Sequence, residues 1–278
     1  MFIPFVSSAS ERVALVIGMA KYETVVTLDN TVNDAISISQ TLEDIGFDVR
    51  MLVDVSSEEF RKAVDDFAFK SETADLALIY FAGHGVEVQG QNFLIAVDAN
   101  VSSNKDIQRQ SVSLKQLLAA AGSARKMRIV ILDSCRDNPF GDSLDLAALA
   151  ETANQADKTR SLTGGLAKPS PDRGTLVAFA AKDGQKALDG IGDNSPFAIA
   201  LIKNLPKPNL EISLLFRQVR DSVLNTTNNQ QEPHTYGSLS GIPYYLAGSS
   251  EANTEVGNND PRVAWSDLMP DQETQLVK

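Results

Sequence analysis

Leu76-Ala-Leu-Ile-Tyr-Phe-Ala-Gly-His-Gly-Val86 and Arg128-Ile-Val-Ile-Leu-Asp-Ser-Cys-Arg-Asp-Asn138 are the two runs whose reading decides the fold. Each is rich in Val, Ile, Leu and aromatics and breaks off into small and polar residues. That pattern reads as a strand buried on both faces, running out at its carboxyl end. One strand is expected to end at His84 and the other at Cys135. Cys135 is the chain's single cysteine and His84 one of its two histidines. In an open parallel sheet the functional crevice lies outside the carboxyl ends of the strands. If these strands are neighbours, a thiol meets an imidazole there, as a nucleophile meets its base.

Working outward, Arg12-Val-Ala-Leu-Val-Ile-Gly18 is another buried-strand run. After a loop from Met19 to Thr31, the apolar spacing from Val32 to Gly46 is close to helical, with Gly46 as the stop. Phe47–Val53 reads as a strand. Ser56 to Ser71 opens on a capping-box pattern and carries Phe60, Ala63, Val64 and Phe67 on one face. Past His84, Gly90–Ala99 reads as a short hairpin partner, Ser111–Ala121 as a helix, and Arg128–Leu132 as the strand leading to Cys135. The order β-α-β-α-β-hairpin-α-β predicts a parallel sheet with right-handed crossovers and helices on both faces. Residues 141–173 form a long loop, Gly/Ser/Pro-rich in its second half, with a potential helix at Leu144–Ala153. Thr175–Ala181 resumes as a strand. Ser195-Pro196 caps a helix to Asn204, Ile212–Leu224 is a further helix, and Gly241–Ala247 reads as the last strand.

The 278 residues suit one domain with appendages: an N-terminal segment 1–10, a domain over 11–248, and a polar tail 249–278. A net charge of −11 argues against a nucleic-acid partner. One Cys and two His are too few for a typical zinc site, so no metal or cofactor is expected. No apolar run reaches the length of a membrane span. Met1–Ser10 reads either as an ordinary strand or as the end of a trimmed leader. The compartment stays open between cytoplasm and periplasm.

In Phe81-Ala-Gly-His-Gly-Val86 two glycines keep the backbone around His84 bare, and the N–H of Gly85 is placed to donate to an oxyanion. In Asp133-Ser-Cys-Arg-Asp137 the thiol sits among charged residues, where an inert buried Cys would be out of place. Arg136, or a protonated His84, would lower its pKa. The segment between the two residues holds one hairpin, one helix and one strand, which makes the strands neighbours.

On these motifs the chain resembles the caspase-like cysteine peptidases, and within them the bacterial metacaspase-like enzymes (orthocaspases). A His about 50 residues upstream of the Cys is part of that pattern. The likeness spans about residues 11–247. It includes Gly-His-Gly at 83–85, Asp-Ser-Cys at 133–135, Asp183-Gly-Gln185 after a strand, and Asn194-Ser-Pro-Phe197 opening a helix. It implies an α/β caspase-like fold with a mainly parallel six-stranded sheet and helices on both faces. It also implies His84 as base, Cys135 as nucleophile, and the N–H groups of Gly85 and Cys135 as the oxyanion hole. Asp133 and Asp34 match the acidic residues that line a pocket for a basic P1 side chain, the residue on the acyl side of the cut. Asp183 and Asp189 are further candidates for its edge. The implied partner is a peptide or protein substrate with Arg or Lys at P1. True caspases carry Gln-Ala-Cys-Arg-Gly and cleave after Asp, whereas Asp133 here would repel an acidic side chain. Metacaspases usually have a Cys where this chain has Thr31. The resemblance also implies a division of the chain within the long loop, where Lys158, Arg160, Lys168 and Arg173 lie. Arg160 is the expected self-cleavage point.

Two other readings stay open. One is a caspase-fold interaction module without catalysis. The other is a flavodoxin-like domain, which lacks its phosphate-binding loop here and leaves Gly-His-Gly unexplained.

Overall fold

The computed structural model describes residues 11–88, 90–135, 140, 169–182 and 185–248. In chain order the described elements are β1 (Arg12–Gly18), α1 (Thr31–Asp44), β2 (Asp48–Val53), α2 (Ser57–Ser71), β3 (Leu76–Val88), β4 (Gln91–Ile95), α3 (Asn104–Gln110), β5 (Ser111–Ser113), α4 (Leu114–Ala121), β6 (Met127–Cys135), β7 (Thr175–Phe179), α5 (Pro196–Asn204), α6 (Ile212–Thr226) and β8 (His234–Ser238).

The six-strand path runs β2-β1-β3-β6-β7-β8. Its first five strands pair in parallel, and β8 is antiparallel to β7. Side chains alternate across it. Ala77, Ile79 and Phe81 of β3 enter the core beneath α2 and α4, while Leu76, Leu78 and Tyr80 enter the core beneath α1, α5 and α6. That is why β3 and β6 read as continuous apolar runs: both faces are covered. On the first face Phe60 of α2 stacks on Phe81, with centroids 5.8 Å apart and planes 6° from parallel. Burying each such ring stabilises the fold by about 1.5–3 kcal/mol. Helix α2 begins where the sequence predicts, with Ser56 and Glu59 forming a reciprocal capping box. At the end of β1, Gly18 leaves room for α1. A Cβ there would lie 2.7 Å from the Thr31 carbonyl and 2.8 Å from the Ala35 Cβ. Helix α1 thus starts hard against the sheet's carboxyl edge and brings Asp34 to it.

Three sequence expectations change. Strand β3 does not end at His84. It runs on to Val88, and its last residues leave the parallel sheet to pair antiparallel with β4, Gly85 opposite Leu94. The last strand is His234–Ser238, not Gly241–Ala247, which makes only isolated bridges to Pro208 and Glu211. Pro243 offers no N–H to a ladder, whereas the edge position of β8 tolerates its polar, mostly exposed residues. The predicted helix from Ser111 is instead β5 followed by α4, which Ser113 and Gln116 cap as a box. Helix α3 ahead of it was invisible as an apolar pattern, since Ile107 is its one buried hydrophobic residue. Among the described residues no helix is long and apolar enough to cross a membrane.

Candidate functional site

Strands β3 and β6 are hydrogen-bonded neighbours, and their register sets His84 opposite Cys135 at the end of the parallel pairing. The side chain of His84 is buried, and two bonds hold the residue. Its backbone N–H donates to the Tyr22 hydroxyl at 2.8 Å, and its ring Nε2 lies 2.7 Å from the carbonyl oxygen of Val26. A carbonyl oxygen only accepts, so Nε2 carries the hydrogen in the neutral ring and the lone pair sits on Nδ1. Burial lowers the imidazole's pKa, against the Val26 carbonyl and the charge of Asp189, which raise it. Burial therefore favours the neutral ring. Tyr22 is 6% exposed and lies against the imidazole, with centroids 4.5 Å apart.

The two acidic residues singled out from sequence also come together. Asp34, in the first turn of α1, is 1% exposed, and Asp133 of β6 is 6% exposed. Ser195 joins them. Its N–H donates to Asp34 Oδ1 at 2.9 Å and its hydroxyl donates to Asp133 Oδ2 at 2.7 Å. Asn194 Nδ2 also donates to Asp34 Oδ1, and the Tyr80 hydroxyl donates to Asp133 Oδ2 at 3.2 Å. The same Ser195 hydroxyl caps α5 by accepting from Ala198 N. Burial raises the pKa of both carboxyls, and the charge of Asp34 raises Asp133 further. Two buried carboxylates sharing few donors cannot both ionise cheaply, so the group holds a proton more readily than an ordinary carboxylate.

Asp189 stands at the edge of this group. Its carboxylate accepts from Asp29 N, its carbonyl accepts from Asn30 Nδ2, and its charge is felt by Asp34, Asp133 and His84 alike. Asp183, Arg160 and the potential helix at Leu144–Ala153 lie outside the described residues, as do residues 1–10 and the tail. Gln185 of the same motif does not reach the acidic group. Its Oε1 accepts from Glu232 N. Gly85 lies in the β3–β4 ladder next to His84. His234, the second histidine, is on β8, where it lines a cavity of about 300 Å³ with Phe197, Phe216, Arg217 and Arg220. None of the candidate site residues lines that cavity.

Sequence reasoning missed Tyr80 and Val26. A tyrosine inside a fully buried strand was a usable signal, because its hydroxyl needs a partner. Val26 acts through its backbone, which no side-chain pattern reveals.

The register thus brings a histidine and the cysteine together at the carboxyl end of a parallel sheet. The chain belongs to the caspase-domain family: the family model described as "Caspase domain" matches residues 11–241. Human mucosa-associated lymphoid tissue lymphoma translocation protein 1 is 31% identical over 149 residues, 52% of this chain and 18% of that protein. Its mouse homolog is 30% identical over the same length and shares. The chain thus spans less than a fifth of these curated relatives. Among solved structures, caspase-1 from Spodoptera frugiperda superposes with a TM-score of 0.61 at 18% identity, covering 87% of this chain and 92% of that one. A Geobacter sulfurreducens protein superposes with a TM-score of 0.58 at 16% identity, covering 85% and 97%. At these identities the structural likeness carries the fold alone.

Proposed function

We propose that residues 11–248 are the peptidase domain of a metacaspase-like (orthocaspase) cysteine endopeptidase that cleaves after Arg or Lys. The observation that carries this reading is the buried Asp34–Ser195–Asp133 group beside the paired ends of β3 and β6. A guanidinium entering it would relieve the repulsion between the carboxylates through charge-assisted hydrogen bonds. An Asp side chain would add a third anion to a site that already disfavours two. Asp189 lies at the edge of this group, and Asp183 is proposed as a further acidic residue of the edge.

The chemistry follows from the neutral base. Nδ1 of His84 takes the proton from the Cys135 thiol, and the thiolate adds to the scissile carbonyl. The N–H groups of Gly85 and Cys135 hold the oxyanion. The intermediate collapses as His84 returns the proton to the leaving amine, which leaves an acyl-thioester on Cys135. Water, deprotonated by His84, then releases the acid and regenerates the thiol.

Paired fluorogenic peptides differing only at P1 test this. Arg at P1 is expected to exceed Asp by about 100-fold or more in kcat/KM. Cys135→Ala and His84→Ala should each abolish turnover, and the double variant should be no worse than either single one. Equal turnover of the Arg and Asp peptides would remove the pocket assignment. Absence of turnover on either peptide by folded wild type would favour the non-catalytic module.

A further inference from the structure

Both bonds that hold His84 come from one loop, and one of them is made by a side chain with no part in the chemistry above. The loop runs from Met19 to Asn30. Val26 supplies the carbonyl at Nε2, and Tyr22 supplies the hydroxyl that accepts from the His84 backbone N–H at 2.8 Å. The same hydroxyl donates to the Ile95 carbonyl of β4 at 3.3 Å, so both halves of its hydrogen-bonding capacity are used inside the protein. Its ring lies 4.5 Å from the imidazole, tilted by 50°.

The surroundings give the phenol no freedom. Asp54 accepts from Ala20 N at 2.6 Å and from Lys21 N at 3.0 Å, at a left-handed φ of +49°. Glu23 N donates to the Val97 carbonyl, and Thr24 Oγ1 donates to the Ala99 carbonyl. The residues on each side of Tyr22 are thus tied to the segments that follow β2 and β4. Across from it, Gly83 is bare for its sake: a Cβ there would lie 2.6 Å from the Tyr22 hydroxyl, 2.9 Å from Phe81 and 3.0 Å from the Met19 Cβ. The first glycine of Gly-His-Gly is the socket for the tyrosine hydroxyl.

We infer that Tyr22 is a positioning residue: its hydroxyl, seated against Gly83, sets the height and tilt of the His84 imidazole relative to Cys135 while Val26 fixes the far nitrogen. A packed aromatic alone does not account for this. Phenylalanine would fill the same volume and keep the ring contact, yet it would leave the His84 N–H and the Ile95 carbonyl without this partner. No carboxylate stands behind the imidazole among the described hydrogen bonds. Its orientation therefore rests on these two neutral contacts, and a shift of one ångström at a reacting group costs about 100-fold in rate.

This inference rests on the peptidase reading, but one of its tests does not. The chain has a single cysteine, so the alkylation rate of the whole protein by iodoacetamide reports the thiolate fraction at Cys135 alone. Tyr22→Phe is expected to lower kcat on an Arg peptide by about 10- to 100-fold with KM within about twofold. It should also slow that alkylation near pH 7, because a displaced Nδ1 takes up the thiol proton less readily. An unchanged kcat and an unchanged alkylation rate in the folded variant would overturn the inference, and so would a loss confined to thermal stability. Should Tyr22→Phe not fold, fluorotyrosine placed at position 22 keeps the shape and weakens the hydroxyl as an acceptor. The same two shifts, smaller, are then expected, and their absence overturns the inference. If wild type turns over no Arg peptide while Tyr22→Phe still slows the alkylation, the substrate reading fails and the positioning role stands.

Discussion

Ser195 gives one hydrogen to each of two carboxylates that would otherwise repel, and this makes the acidic pocket a stability liability as well as a site. Burial holds the pKa of Asp34 and Asp133 above the ordinary carboxylate value. The folded protein therefore keeps protons that the unfolded chain has lost. The sign follows: this contribution is most favourable below the ordinary value and is lost as pH rises through the raised ones. Asp133→Asn removes one charge and keeps an oxygen acceptor for Tyr80 and Ser195. In urea melts the variant should gain on wild type as pH rises from 4 to 8, with little difference at pH 4, while losing turnover of Arg peptides. A constant penalty at every pH would mean that packing, not charge, dominates at this position. In wild type, KM for an Arg peptide should rise as pH falls through the raised values, because a protonated pocket offers the guanidinium no anion. His84 and Cys135 stood out in sequence because the strand ends and the family motif both pointed to them, whereas Asp133 and Asp34 rested on the resemblance; the structure brings the two acidic residues together. Ser195 was legible only as a helix cap, since its second bond depends on a strand more than 60 residues away in the chain.

At the scale of elements, the reach between β7 and β8 bears on the site most directly. Gln231 is fully buried, and its side chain donates to the Ala180 carbonyl at 2.9 Å and accepts from Leu188 N at 3.1 Å. Beside it, Glu232 accepts from Lys182 and Arg220, which lower its pKa to about 2. Together they brace both ends of the segment 180–188 that leads to Asp189. Gln231→Ala leaves two buried backbone groups unpaired and should cost about 2–4 kcal/mol of stability. It should also make the protein easier to nick within 180–188 and raise KM for Arg peptides more than it lowers kcat. If proteolysis and KM are unchanged, the segment is held by other contacts. None of this brace shows in the sequence, where Asn228 to His234 reads as a polar loop. The reason is the edge itself: β8 needs no apolar alternation because water covers its outer side, so pattern reading passed over His234–Ser238 and took the more hydrophobic Gly241–Ala247 instead. The doubly covered strands β1, β3 and β6 had no such ambiguity, and neither did α2 with its capping box.

For the whole molecule, the strands that flank the long loop are direct neighbours in the sheet. Strand β7 lies parallel beside β6 with Leu132 opposite Phe179, and Ser195 bonds back to both Asp133 and Asp34. An enzyme specific for basic P1 would meet its own Arg160 at high effective concentration. Wild type is therefore expected to show a cut within Lys158–Arg173, chiefly after Arg160, while Cys135→Ala keeps its full mass. Intact-mass measurement after incubation checks this, and a wild type that stays whole while turning over an Arg peptide would rule out self-processing there. The long separation between Asp34 or Asp133 and Ser195 has a further consequence for how the protein comes into being. A ribosome delivers β3 and β6, and with them His84 and Cys135, well before it delivers Asn194 and Ser195. Until those two residues emerge, Asp34 lacks its two donors and Asp133 has only the Tyr80 hydroxyl. On the proposed reading, the nascent chain would carry a nucleophile and a base before its specificity pocket is finished, so translation itself would delay the capacity to select a substrate until the domain is nearly complete.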